Sequence, residues 1–469
     1  MTATVTVARG TGLTDPIVLS ATGLPAGVTA SFAPMSLPPG TDSSIVTLTI
    51  DQAANAGMAD IMLTGTAGSL THSATVSLDL QTQTVAGKVR GTGAGIAVRI
   101  VGKAATQTDA TGNFMFTDVK VPYDIYVLGQ GGPDSAPIPA ITYYKGLTRL
   151  DPVLTKQNPY CTNFCLVAIF NNKSANLNGS RFGAGTNAGP TYVKFTTTDG
   201  REINTTGTWG FTAAWFAQIT QNTIVGRLQG LQAIRGALNA PIGWYFAESA
   251  DVTLTNTGTS TINLTLATLG TTGALSGTVT QPAGFTVPTV TLTQQLAGSP
   301  FEVWTATTNN ATSTIPILTN QKASFYATAT SGGAVTEGVV PGITASTDVT
   351  MALPAPASVT GPVNGASNVT TATPFEFSTT ANQVYEVSMN SSAAIYVIYT
   401  ASGSLTIPNV SEMPLPSAAA FTWAIRGFGP LASVNASADM NALQGVAKFD
   451  PTGTYHSLTT STTRNFTSM

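Results

Sequence analysis

His72 and His456 are the only histidines in this chain, so a catalytic triad or a zinc site would have to be built around one of them. His72 lies in phase with Leu70, Ala74 and Val76. That phase predicts a hydrogen-bonded histidine in a core or domain interface rather than a catalytic base. His456 stands beside Tyr455 in the C-terminal tail and is expected to be exposed. Neither has an Asp and a Ser near it in a recognisable order, and no nucleophile-elbow or metalloprotease phrase occurs. The expectation is therefore no catalytic residue, no metal site and no cofactor.

The carboxylates lead to the same expectation. Asp109 and Asp199 fall at turns, and Asp251 and Asp348 at strand ends. A glycosidase needs two carboxylates across one cleft, an arrangement that spacing alone does not exclude and nothing here favours. No segment has the dense Asp/Asn spacing of a calcium loop. Gly91-Thr92-Gly93-Ala94-Gly95 has the glycines of a phosphate loop, but no helical pattern follows, so a β-turn is expected.

Cys161 and Cys165 are the one covalent signal. In an extended strand their Cα atoms would stand about 13 Å apart, beyond disulfide reach, so a bond requires Thr162-Asn163-Phe164 to turn. Pro159 just upstream favours such a turn. A local disulfide is expected here, with two free thiols as the alternative. Asn172, Asn204, Asn263, Asn368 and Asn435 open Asn-x-Ser/Thr phrases, as chance alone predicts in a chain so rich in Ser and Thr. Trp209, Trp215 and Trp244 could stack on a sugar, but sandwich cores are the expected place for them.

The elements that would have to position these residues repeat. Val85-Ala86-Gly87-Lys88-Val89 returns as Leu177-Asn178-Gly179-Ser180-Arg181 and again as Leu275-Ser276-Gly277-Thr278-Val279. Each opens a stretch that closes on alternating apolar and polar residues, as in Ile262, Leu264 and Leu266 or Val349, Met351 and Leu353, so a β-module of roughly 80 to 100 residues is repeated. Gly226 to Leu238 has some helical character, but its glycine spacing and the flanking Trp215 and Trp244 favour strands. Only 9% of residues are charged, against about 25% in ordinary soluble domains. Ser and Thr make up roughly a quarter of the chain, and β-branched Thr suits pleated, half-buried strands.

The net charge is -3 and no basic patch is long enough to follow a phosphate backbone, so nucleic acid is not an expected partner. The longest apolar run, Cys165 to Phe170, falls far short of the roughly 20 residues of a membrane helix. No membrane span is expected. Strand-like alternation begins at Thr4, directly after Met1, so an exported form is expected to be mature or trimmed.

Residues 84–155 resemble the carboxypeptidase regulatory-like domain, a transthyretin-like sandwich. The likeness rests on Gly87-Lys88-Val89, the alternating Ile96, Val98 and Ile100, the run Thr106 to Phe116 with its Asp109-to-Gly112 turn, and Tyr123 to Leu128. It implies a fold and a secreted setting, and no catalytic residues. Residues 1–83 resemble an immunoglobulin-like sandwich through Val46, Leu48, Ile50 and the face Leu70, Ala74, Val76, Leu78 and Leu80. Residues 355–469 resemble a fibronectin type III-like sandwich through Pro362 to Gly365, Phe375, Phe377, Tyr396 to Tyr399 and Phe421 to Ile425; the tail from Asn441 is either a last strand or an extension seeking a partner sheet. Residues 156–272 and 273–354 read as diverged regulatory-like copies, the former opening on the cysteine-containing linker.

The expected fold is all-β, a tandem array of about five β-sandwich modules. The expected function is a non-enzymatic extracellular or cell-surface structural or adhesive protein. Its expected partner is itself, as a homo-oligomer or a fibre in which residues 1–9 or 441–469 complete a neighbour's sheet. A monomeric stalk carrying a glycan or cell-surface ligand, or an accessory region of a secreted hydrolase, are the alternatives.

Overall fold

The computed structural model describes residues 2–90, 93–131, 137–155, 171–178, 181–182, 188–197, 204–206, 211–217, 222–296, 299–319, 321–438 and 456–469. Its secondary structure is almost entirely strands, arranged as several sandwiches. The first packs a three-stranded sheet (Thr2–Thr6, Ser43–Ile50, Val28–Ala33) on a four-stranded one (Ser36–Leu37, Ile17–Thr22, Gly57–Ala67, Leu70–Leu80). The expected turn Gly23 to Gly27 is present, with φ of 76° and 80° at its two glycines. At Gly23 a Cβ would stand 2.6 Å from the Asp60 carbonyl oxygen, so both the angle and the space demand glycine.

The repeated phrase marks one strand in a repeated topology. Gln83–Arg90, Asn171–Asn178 and Thr272–Thr280 each lie between an antiparallel partner (Asn113–Val119, Phe211–Ala217, Asn310–Pro316) and a parallel one (Val153–Thr155, Thr259–Thr261, Thr347–Ala352). Its glycine has a steric cause in two of the copies. A Cβ on Gly87 would lie 2.4 Å from the Phe114 ring, and one on Gly277 would lie 2.4 Å from the Phe325 ring. The residues from Gly226 onward form the strand Thr223–Arg235 followed by a single 3-10 turn, Ala237–Asn239.

The sandwiches are not independent beads. Ile138–Leu147 of the second runs parallel to Ile395–Thr400 of the last, with Ala140 opposite Ile395 and Tyr144 opposite Tyr399. His456–Thr460 pairs on one side with Ala420–Gly429 and on the other with Ala334–Ile343 of the fourth. One 14-stranded sheet therefore crosses three sandwiches. The sandwiches of the array are thus joined edge to edge by shared backbone ladders. All six residues of Ile395–Thr400 are buried, as a strand covered on both faces requires. Ile395, Val397 and Tyr399 enter the core built on Val85, Val89 and Phe114, while Tyr396 and Ile398 enter the core around Phe375 and Trp423.

Two corrections concern His456 and the strand Leu70–Leu80. Of the two readings of the tail, its described residues 456–469 take the first: His456–Thr460 and Arg464–Ser468 are strands paired within the chain, the latter with Ala420–Gly429. His456 is half-buried in that first strand, not loose in solvent. In Leu70–Leu80 only Leu78 and Leu80 reach the core, whereas Leu70, His72, Ala74 and Val76 are exposed. The sheet facing this four-stranded one has three strands, so the outermost strand is covered at one end only.

Candidate functional site

A groove of about 570 Å³ opens where Ala97–Ile100, Tyr123–Gly131 and Ile138–Leu147 of the second sandwich meet the 405–412 segment of the last. Strand alternation places the floor. Tyr126 and Tyr143 lie opposite each other on paired strands, with rings parallel at 6.0 Å. Their hydroxyls point to acids at the groove: Tyr143 donates to Asp124 Oδ2 at 2.7 Å and Tyr126 to Glu412 Oε2 at 3.3 Å. Glu412 also forms an ion pair with Arg99, and the Gly146 N–H donates to Asp124 Oδ1 at 2.8 Å. Burial, then the Glu412 charge, pushes the Tyr126 hydroxyl up to about 12. Burial beside Asp124 likewise raises Tyr143.

Desolvation works against ionised Glu412. Hydrogen bonds from its own backbone and from the Ser411 hydroxyl outweigh it, with the Arg99 charge, and hold the carboxyl below the ordinary range. An acid held low is the wrong starting state for a glycosidase proton donor, and Asp124 has donors on both oxygens. The groove thus contains two carboxylates, Glu412 bonded across the joint to Tyr126 and Arg99, and Asp124 bonded within its own sandwich to Tyr143 and Gly146. Lys103, Lys145 and Asp124, which also line it, are in none of the ion pairs among the described residues, and three basic groups (Arg99, Lys103, Lys145) face two acids (Asp124, Glu412) in its lining.

The same joint holds a second polar cluster. Tyr399 donates to Glu386 Oε2 at 2.7 Å, and Arg426 approaches Glu386 Oε1 at 3.2 Å; burial next to this acid raises Tyr399 well above its usual range. Asn435 Oδ1 accepts from the backbone N–H of Thr148 at 2.8 Å and of Arg149 at 3.0 Å. One of the Asn-x-Ser phrases is therefore committed to holding two sandwiches together, whereas Asn263 and Asn368 are exposed.

Among the described residues, those singled out in the sequence do not converge. His72 is exposed on the first sandwich, and Trp244 is fully buried, donating to the Thr314 carbonyl at 3.2 Å. Asp109 accepts from the backbone N–H of Thr111 at 2.8 Å and of Asn113 at 2.9 Å. These bonds, that to Asn113 foremost, lower its carboxyl to about 2, the expected role of an Asp in its own turn. Asp251 pairs with Arg227 at 2.6 Å and Asp348 accepts from Ser276 at 2.7 Å. Ala94 and Gly95 form a turn with φ of 87° at the glycine. Cys161, Cys165, Asp199 and Trp209 lie outside the described residues.

Sequence reasoning missed Arg99, Lys103, Asp124, Lys145 and Glu412, because the groove exists only once two distant sandwiches dock. The one legible trace was the unbroken apolar run Ile395 to Tyr399, which calls for a neighbour on each face.

No family model matches the chain, and no curated protein matches it. Among solved structures it is similar to the Bacillus anthracis TIE protein, at 12% identity and a TM-score of 0.15 over 72% of this chain and 67% of that one. It is also similar to the N-terminal four Ig domains of Dscam1 isoform 8.4, at 10% identity and a TM-score of 0.11 over 75% of this chain and 95% of that one. Scores this low carry no argument about domain type or function.

Proposed function

We propose that this chain is a non-enzymatic, extracellular structural or adhesive protein, a stiff scaffold that associates with copies of itself. The observation that carries the reading is the 14-stranded sheet. Parallel and antiparallel backbone ladders bind three sandwiches where a linker would have left a hinge, and such continuity suits a body that transmits force or holds a surface at a distance. The commitment of Glu412 to the joint and of Asp124 to hydrogen bonds on both oxygens supports a non-catalytic role. The low charge and the hydroxyl-rich composition support an extracellular setting, as would a disulfide between Cys161 and Cys165. A mass difference between reduced and non-reduced protein checks that bond.

The strands of the tail are paired on both edges within the chain, whereas Thr2–Thr6 pairs with Ser43–Ile50 on one edge only. Self-association is proposed to use an open sheet edge of the first sandwich. Protease shaving and antibody labelling of intact cells test the reading. Release of this chain from the outside of the cell, together with stiff bodies in electron micrographs, is the expected result. A chain found only inside the cell would refute it.

Glycan binding is a second reading, favoured by the groove with its free Lys103 and Lys145. An array that includes anionic saccharides tests it, and loss of any hit in Lys103→Ala, Lys145→Ala protein locates the site.

A further inference from the structure

We propose that two copies of this chain pair antiparallel along Leu70–Leu80, joining their first sandwiches into one continuous sheet. The inference deepens the self-associating reading and rests on it.

The inner edge of this strand is fully used. It pairs without a register shift with Gly57–Ala67, from Leu80 opposite Gly57 to Leu70 opposite Ala67. Its outer edge meets no strand among the described residues, so alternate N–H and C=O groups along eleven residues face solvent. Natural edges are usually blunted by brevity, proline, lysine, a bulge or a cover. This strand has none of these, and its one acid, Asp79, is near its far end.

The contrast with the ends of the 14-stranded sheet is direct. One end is Thr106–Gln107, only two residues long. At the other, Ser299–Thr307, the Tyr192 hydroxyl and the Arg235 guanidinium each donate at 2.6 Å, to the carbonyls of Glu302 and Val303. Those edges are shielded; this one also leaves Leu70 62% and Val76 48% exposed.

The strand complements itself, which selects a second copy as the occupant. A two-fold axis through Ser73 sets Leu70 opposite Val76, Thr71 opposite Thr75 and His72 opposite Ala74, each pair occurring twice. Leu70 on Val76 is apolar on apolar and Thr71 on Thr75 is hydroxyl on hydroxyl, pairings that stabilise a sheet. The overlap ends where the partner strand reaches its Gly68-Ser69 turn, and Asp79 stays outside it. Strand pairing is also how this chain already joins its own sandwiches, at Ile395–Thr400 and at His456–Thr460. An isologous contact of this kind closes as a dimer and does not grow into a fibre.

Sedimentation equilibrium of the full chain tests the pairing. The wild type is expected to dimerise. Thr71→Lys, Thr75→Lys opposes like charges twice across the axis and is expected to weaken association by roughly tenfold. Thr71→Lys, Thr75→Glu opposes unlike charges in this register and is expected to restore it. Thr71 and Thr75 are both exposed, and unchanged thermal melting shows that the variants fold. A wild type that stays monomeric at about 100 μM, or a dimer indifferent to the doubly lysine variant, overturns the proposal. Either result leaves the location of the chain, which the shaving experiment reads, untouched.

Discussion

Tyr144 and Tyr399 stack at 4.9 Å with ring planes 26° apart, one from the second sandwich and one from the last, and so close the seam of a sheet that neither could complete alone. Both rings are buried. Tyr144 exchanges hydrogen bonds with Thr155, its hydroxyl 2.9 Å from Thr155 Oγ1 and 3.0 Å from the Thr155 N–H, while Tyr399 donates to Glu386.

Replacing Tyr399 separates packing from polarity. Tyr399→Phe keeps the stack and removes a donor from buried Glu386, an expected loss of about 1–3 kcal/mol. Tyr399→Ala also empties the seam and is expected to cost about 3–5 kcal/mol. Chemical denaturation measures both, and equal losses would show that the ring contributes nothing.

The bridging strand His456–Thr460 makes a second prediction. Thr459 pairs with Thr336 on one side and Gly427 on the other. Thr459→Pro removes a donor from a strand bonded on both edges and is expected to cost about 3 kcal/mol or more. Limited proteolysis should then cut the tail rapidly. A tail as resistant as that of the wild type would contradict its place in the sheet.

Gln52 and Lys120 bridge the first and second sandwiches. Gln52 Nε2 donates to the Lys120 carbonyl at 2.7 Å, its Oε1 accepts from the Lys120 N–H at 2.9 Å, and Lys120 Nζ donates to the Gln52 carbonyl at 2.8 Å. Gln52→Ala is expected to loosen the first sandwich, seen as a larger radius of gyration in solution scattering with little change in the melting of the rest. An unaltered scattering profile would mean that the joint holds by other contacts.

The groove predicts an acid limb. Because Glu412 in the folded chain lies below its ordinary 4.5, its stabilisation is present above that value. As pH falls through it the unfolded state takes up the proton first, and the stabilisation is lost as the folded group is protonated in turn. The gap in melting temperature between wild type and Glu412→Gln should be widest near neutrality and shrink below pH 4.5. A gap constant with pH would show that these hydrogen bonds and the Arg99 charge together add nothing.

The repeated glycine can be tested directly. Gly87→Ala drives a methyl group into the Phe114 ring and the Pro152 carbonyl, and about 1–3 kcal/mol of overpacking is expected from melting or denaturant curves. Gly40, with nothing within 4 Å of an added Cβ but a φ of 84°, should respond through backbone strain alone.

Local chemistry was enough to read the strands, the turn at Gly23 to Gly27, the Asp109 turn and the recurring glycine phrase, because period, turn residues and the need for a missing Cβ act over a few positions. The sequence alone thus determined an all-β chain of repeated sandwiches. Which edges meet was decided by the tertiary structure: Ala140 beside Ile395 and Thr459 between Thr336 and Gly427 depend on backbone ladders that carry almost no side-chain code. The same cause exposed Leu70 and Val76, whose alternation matches that of Leu78 and Leu80, since a strand's period says which residues share a face but not whether another sheet reaches across to cover it.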